Sequence, residues 1–281
     1  MADSRIKTGQ RKKVRILLML AGLLILLSIA APFLMPNDPN ATNAAAMKAP
    51  PSREFPLGTD KLGRCVLSRV MAGASTSVFS ALGLVFVSFV IGTAAGMLCG
   101  YYGGILDTLV MRIADIFLAF PQMVLAIAVA GMLGGGLFHA MLALGLTGWT
   151  MYARLARSET MRLCREEFVF AAQFSGCKDV QILLVHILPN IAGTLLVTAA
   201  TQIGTSMIGI AGLSFLGVGV TPPQAEWGSM INEARSYLQT APWAVLAPAG
   251  AMLITVMLFN RLGDALRDLM DEGERKKENE S

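Results

Sequence analysis

Apolar residues along this 281-residue chain fall in long runs, not in the alternation of a half-buried strand or the one-sided stripe of a surface helix. A helix crossing the hydrocarbon core of a bilayer needs roughly 20 mostly apolar residues. Six segments reach about that length: 14–34, 77–101, about 106–133, 138–156, 190–218 and 243–262. No charged residue interrupts the second or the fifth. The third is the least regular, with Asp107, Arg112 and Asp115 in its first half and Pro121 near its middle. Runs longer than the bilayer is thick predict tilt, kinks or extension into water. The pattern predicts an all-α integral membrane protein with six transmembrane helices.

The polar stretches between the runs set the organisation. It reads as a tail at 1–13, a first helix at 14–34, an outer loop at 35–76, a membrane domain at 77–264 containing a polar loop at 157–189, and a tail at 265–281. The outer loop opens on MPNDPNATNAAAMKAPP, a composition suited to extended surface chain. Loops rich in Lys and Arg stay on the cytoplasmic side. Arg5, Lys7, Arg11, Lys12, Lys13 and Arg15 precede or open the first helix. The 154–189 region adds Arg154, Arg157, Arg162, Arg165 and Lys178, and the tail adds Arg261, Arg267, Arg275, Lys276 and Lys277. Lys48, Arg53, Lys61, Arg64, Arg69 and Arg235 fall on the other side. The bias predicts both termini in the cytoplasm, and an even number of spans agrees.

Composition supports the class. Hydrophobic residues make up 54% and charged residues 15% of the chain, and its mean hydropathy is +0.58. Soluble domains carry about 25% charged residues. The net charge of +4 is spread over several loops and does not form a nucleic-acid footprint, so the partner implied by composition is membrane lipid. Cys65, Cys99, Cys164 and Cys177 show no C-x-x-C spacing, and only Cys65 falls in a predicted outer loop, so no disulfide framework is implied. Arg11-Lys12-Lys13 before an apolar run resembles a signal peptide, but the run is a full span and no clear A-x-A site follows. It reads as an uncleaved first helix.

One polar segment stands out: EFVFAAQFSGCKDVQILLVHILPN, Glu167 to Asn190. Phe170, Phe174 and Cys177 recur at helical spacing with Ala171 beside them, predicting an apolar face on a short helix. Gly176 is placed to end that helix in the left-handed conformation. Asp179 is predicted to cap a second helix through Val180 to His186, and Pro189 to push Leu188 out of helical geometry. The expected shape is helix, sharp turn, helix, with an aromatic knob below the membrane. By pattern alone the knob either lies among lipid headgroups or docks a soluble partner.

The segment resembles the cytoplasmic EAA loop of importer permeases of the ATP-binding-cassette class. Ala171, Ala172, Gly176, Leu188 and Pro189 match that pattern in register. His186 stands at the family's Ile position and Ile187 one place beyond, while Phe170 replaces the Glu, with Glu166 and Glu167 out of register. LGTDKLGRCVLSRVMAGASTS (Leu57 to Ser77) is similar to the LGTDxxGRD signature of peptide and nickel permeases, Cys65 standing for the usual Asp. GLSFLGVGVTPPQAEWGSMINEARSYL (Gly212 to Leu238) and FNRLGDALRDLMD (Phe259 to Asp271) resemble the second permease of such systems. AEWGSMINEAR most resembles the nickel-import branch, and the dipeptide and oligopeptide branches share most of the frame. The resemblance implies a type I permease fold in the bacterial inner membrane. The implied partners are a homologous permease, two cytoplasmic ATPases and an external solute-binding protein. Phe170, Ala171, Ala172, Phe174, Gly176, Leu188 and Pro189 would couple to the ATPases, whose closure on ATP moves the loop helix and tilts the spans. The implied cargo is nickel, as a chelate, or else di- and oligopeptides.

The remaining chemistry narrows the picture. No G-x-x-x-x-G-K-[ST] phosphate loop is present, and no nucleophile, base and orienter stand together, so this subunit is not expected to be an enzyme or to need a cofactor. His139 and His186 are predicted on opposite sides, and no metal-ligand spacing occurs. The 17 Met residues scatter through the spans and read as core filler. Arg112 and Asp115, three apart, are expected to pair with each other. After Pro222-Pro223, the residues Glu226, Trp227, Asn232, Glu233 and Arg235 read either as a rim receiving the binding protein or as a solvated turn and short helix. Asp60 to Arg64 reads likewise, with Asp60 capping a short helix or touching that protein. A stand-alone secondary transporter is the rival of another class, but the spans hold few unpaired ionisable residues for ion coupling. A membrane scaffold for a soluble enzyme is a further rival, which would need no pore.

Overall fold

The computed structural model describes the backbone of residues 2–280 and the side chains of residues 10–270. Ten helices are described: α1 (Ala2–Leu34), α2 (Val66–Tyr102), α3 (Gly104–Leu118), α4 (Gln122–Met132), α5 (Leu137–Leu163), α6 (Glu167–Phe174), α7 (Asp179–Gln181), α8 (Leu188–Phe215), α9 (Trp227–Ala234) and α10 (Trp243–Glu280). A π-helical turn, Ile182–Ile187, joins α7 to α8, so Asp179–Phe215 runs as one long helix. By length and apolarity α1, α2, α7–α8 and α10 qualify as spans, and the bent pair α3–α4 makes a fifth. At 27 residues α5 is about 40 Å long, enough to cross. His139, Arg154 and Arg157 dilute its apolar run.

Two boundaries differ from the sequence pattern. α2 starts at Val66, eleven residues before the predicted span, because Arg69 is accommodated inside the helix with 1% exposure. The third predicted span is not one helix. α3 and α4 meet at 88° across the break before Pro121, whose ring has no N–H and forces Phe120 out of helical geometry. The turn also changes the ion pairs. Arg112 does not pair with Asp115; Arg154 on α5 reaches Asp115 at 2.6 Å, and Arg157 grips Asp107 with both nitrogens of its fork. Two side chains on one helix are rigidly spaced, whereas a crossing helix can bring its guanidinium to the carboxylate. Arg112 has no ion-pair partner among the described residues.

The closest packing joins α2 to α5. Gly92, Gly96 and Gly100 form a stripe, and a Cβ on them would collide with the carbonyl oxygens of Trp149, Ala153 and Arg157 in turn. Without a hydrophobic drive between helices in lipid, such small-residue seams let backbones approach and gain dispersion contact. Buried Val78, Leu84, Leu144, Ile210 and Trp227 fill the middle of the bundle. A second cluster around Tyr152, Val169, Ile182 and Ile191 fills one end. Large apolar side chains such as Met19, Leu26, Phe86, Ile105 and Ile254 point outward, as a lipid-facing belt requires.

The termini and the α6 turn share that second end. Lys13 on α1 lies 3.9 Å from Asp268 on α10, and the Met270 side chain sits against Gly193 near the start of α8. The side chains of Arg5, Lys7, Arg275, Lys276 and Lys277, which entered the charge count, lie outside the described residues.

Candidate coupling loop and transport path

The polar hairpin forms as the sequence predicts in outline. α6 starts after Glu166 in an extended conformation, with Glu167 in its first turn, where a carboxylate suits the positive end of the helix dipole. It ends in a two-bond Schellman turn: Gly176 N donates to the Gln173 carbonyl at 3.0 Å and Cys177 N to the Ala172 carbonyl at 3.1 Å. Gly176 has φ +79°, a conformation that penalises any Cβ. Val169 and Ala172 turn inward onto Ile182 and Ile187, anchoring the short helix to the bundle. On the opposite side Phe168 and Phe170 are about half-exposed and Phe174 is 91% exposed.

The details differ in four places. Cys177 folds back against the core and does not extend the aromatic face. Ala172 is buried and packs α6 onto its own chain. Asp179 does not cap a helix: the N-cap is Lys178, and the Asp179 carboxylate accepts hydrogen bonds from the Tyr101 and Tyr102 hydroxyls at 2.9 and 3.2 Å. Leu188 stays helical (φ −53°, ψ −46°). The π-turn before Pro189 widens the helix enough to admit the ring, and the Asn190 amide donates to the His186 carbonyl at 2.6 Å. Leu188 is half-buried and Pro189 exposed, one helical stretch beyond the turn.

At the other end the predicted rim is mostly interior. Asp60 (6% exposed), Arg64 (3%), Glu226 (1%) and Trp227 (3%) are buried; Asn232 and Glu233 are partly buried. Asp60 builds a turn and caps no helix, accepting from Leu62 N at 2.8 Å and Arg64 N at 3.0 Å. Arg64 bridges Asp60 and Glu233, each at 2.6 Å. Burial opposes its charge, yet the two carboxylates hold its pKa above the ordinary arginine value. Glu226 caps α9, accepting from Gly228 N at 2.7 Å and Ser229 N at 2.8 Å. Trp227 Nε1 donates to the Val70 carbonyl at 3.0 Å. These residues read as polar rim because sequence shows charge but not the opposite charge that neutralises it 169 residues away.

Between the two ends lies a cavity of about 330 Å³ between α2, α4, α5 and α8. Its polar wall comes from Ser88, Gln122, Tyr152, Gln202, Thr205 and Ser206. Sequence reading missed these residues; their only signal was uncharged polarity inside otherwise apolar runs. His139 and His186 lie at opposite ends of the bundle, and no group of three His, Cys, Asp or Glu side chains is placed to hold a metal among the described residues.

Comparison with known proteins fits this geometry. Residues 89–276 match the family model described as the binding-protein-dependent transport system inner membrane component. The chain is 40% identical over 263 residues to the nickel transport system permease protein NikC of Escherichia coli K12, covering 94% of this chain and 95% of that one. It is 39% identical to the dipeptide transport system permease protein DppC of Alkalihalophilus pseudofirmus (88% and 81% covered). It is 41% identical to the glutathione transport system permease protein GsiD of Pectobacterium atrosepticum (89% and 85% covered). The fold is similar to a chain of the MetNI methionine ABC transporter in an inward-facing conformation, with TM-score 0.57, 21% identity, and 73% of this chain and 96% of that one covered.

Proposed function

The chain belongs to the family of binding-protein-dependent transport system inner membrane components, and on that premise we propose how it couples, what it carries and how it sits in the membrane. It is a permease subunit of an ATP-binding-cassette importer, working with ATPase and substrate-binding partners; ATP hydrolysis belongs to the separate subunit. In this reading it pairs with a homologous permease and two ATPases, both termini are cytoplasmic, and α6 is the part an ATPase grips. The observation that carries it is Phe174, 91% exposed at the tip of a helix whose other face is anchored in the core. An aromatic side chain with no partner in its own chain, on a stiff support, can both fill a pocket and transmit force. Phe170, Ala171 and Gly176 complete the docking surface; Ala172, Leu188 and Pro189 support it from behind. On the outer side, Asp60, Arg64, Glu226 and Trp227 shape the cap presented to the binding protein, and Asn232 and Glu233 stand nearest its surface.

Replacing Phe174 with Asp tests the coupling role. The chain is expected to stay inserted while the ATPases no longer co-purify with it; retained ATPase binding and transport would overturn the assignment. For the cargo, nickel as a chelate is the lead, supported by end-to-end similarity to the nickel permease and by AEWGSMINEAR. The peptide reading is kept because identities to the nickel, dipeptide and glutathione permeases are nearly equal, at 40%, 39% and 41%. Uptake of radioactive nickel, labelled dipeptide and labelled glutathione in a deletion strain decides between them.

A further inference from the structure

α1 and α10 leave a cleft between them at the end of the bundle where both termini lie. It measures about 350 Å³, within the range of about 300–1,000 Å³ typical of ligand clefts. Lys12, Lys13, Ile16 and Leu17 reach it from one face of α1, since positions four apart return to the same side of a helix. Arg261 reaches it from α10, so three of the five lining residues are cations and none is an acid. Leu17 packs on buried Ala21, Phe259 and Leu262, which lock the two helices together and fix the backbone that carries Arg261. The cleft holds more positive charge than the chain neutralises. Lys13 Nζ meets Asp268 Oδ2 at 3.9 Å, a long contact between half-exposed side chains. Lys12 and Arg261 join no ion pair among the described residues, and Asp264, one turn along from Arg261, does not pair with it. Like charges brought together across a helix seam repel, so closing this seam is unfavourable until an anion sits there.

We propose that this cleft binds one anionic phospholipid, with its phosphate among Lys12, Lys13 and Arg261 and the start of an acyl chain along Ile16 and Leu17. The apolar part of the wall selects a lipid over a soluble anion. Ile16 is 43% exposed beside the cations, and free phosphate would leave it so. Beyond it α1 turns Met19, Leu20 and Leu23 outward, toward the hydrocarbon that an acyl chain occupies. A guanidinium meets two phosphate oxygens at once, and each ammonium adds a point charge. Basic clefts between spanning helices suit anionic headgroups, and the attraction grows with each Lys or Arg at the surface. In filling the cleft the lipid ties α1 to α10, and so holds in place a helix that lies outside the matched family segment, residues 89–276.

The test titrates the purified, delipidated importer complex in detergent with dioctanoyl phosphatidylglycerol and counts retained lipids by native mass spectrometry. Dioctanoyl phosphatidylcholine is the neutral control and inorganic phosphate the soluble competitor. Phosphatidylglycerol is expected to stay bound where phosphatidylcholine does not, and phosphate at equal concentration is expected to leave it in place. Equal retention of the neutral lipid, or displacement by phosphate, would overturn the proposal. Lys12→Gln combined with Arg261→Gln should raise the half-saturating concentration of one bound lipid about tenfold to thirtyfold. Arg15→Gln combined with Arg267→Gln removes the same charge from exposed positions that do not line the cleft, and should shift it far less. An equal shift in the two double variants would mean a diffuse surface field and no site, which also overturns the proposal. If the cleft variant fails to accumulate, the three ligands on the unmodified complex decide alone. Neither cargo nor nucleotide is present, so failure of the transport reading leaves this result intact, and a negative result here leaves that reading standing.

Discussion

The Asp179 carboxylate accepts a hydrogen bond from the Tyr101 hydroxyl at 2.9 Å, joining residues 78 apart in the chain. Its second oxygen takes the Tyr102 hydroxyl at 3.2 Å, so one carboxylate clasps the end of α2. Asp179 lies three residues beyond Gly176, where the hairpin turns back into the long helix. A pull on α6 therefore reaches α2 directly as well as α8. Asp179→Ala is expected to leave the chain folded, because the contact is solvent-exposed, but to lower the amount of cargo imported per ATP hydrolysed several-fold. Asp179→Asn keeps one acceptor oxygen and should fall between. Measuring uptake and ATP hydrolysis together checks this; an unchanged ratio in Asp179→Ala would remove the strut from the mechanism.

Gly176→Val should damage coupling through the backbone. A β-branched residue at φ +79° is strained by about 1–2 kcal/mol, enough to unwind a turn secured by two hydrogen bonds. The expected result is weaker ATPase co-purification with normal insertion. Gly176→Asn, which tolerates the left-handed region, should retain most binding.

Gly96→Leu should be far more severe. The new side chain would meet the Ala153 carbonyl and the Ala156 methyl at the α2–α5 seam. Backbone cannot yield as a flexible side chain can, so the helices must separate. Loss of the protease-resistant, full-length chain from membranes is the expected readout, whereas Gly22→Ala, on α1 with open space around it and no positive φ, should accumulate normally.

Arg64→Ala should destabilise the outer cap by roughly 3 kcal/mol, because Glu233 loses its cation and Asp60 keeps only Arg69, 3.8 Å away. By contrast Arg162→Ala removes a partner of Glu159 whose own side chain is 56% exposed, and should change stability by well under about 1 kcal/mol. Denaturant-dependent proteolysis of the purified complex compares the two.

Much of the architecture was legible because a bilayer imposes a length and a polarity that composition alone reveals. The helical class, the hairpin and its Gly176 stop follow from run length and local backbone preference, both properties of neighbouring residues. Of the six predicted spans, four helices and one bent pair meet the length and apolarity a crossing needs. The motifs carried the family for the same reason, since each is contiguous. Pro121 was visible in the third run, but not that it bends the chain by 88°.

What only the tertiary structure decided is who faces whom. Sequence placed Arg112 beside Asp115, and the fold gave Asp115 to Arg154; it left Asp60, Arg64 and Glu226 between a receiving rim and a local turn or short helix, and the fold buried all three. It offered no reason to single out Ser88, Gln122 and Gln202, which share one cavity only once α2, α4 and α8 have packed. Membrane insertion depends on the sum of local transfer energies, which can be read along the chain. Pairing and cavity shape depend on distances across it, and those exist only once the helices have packed.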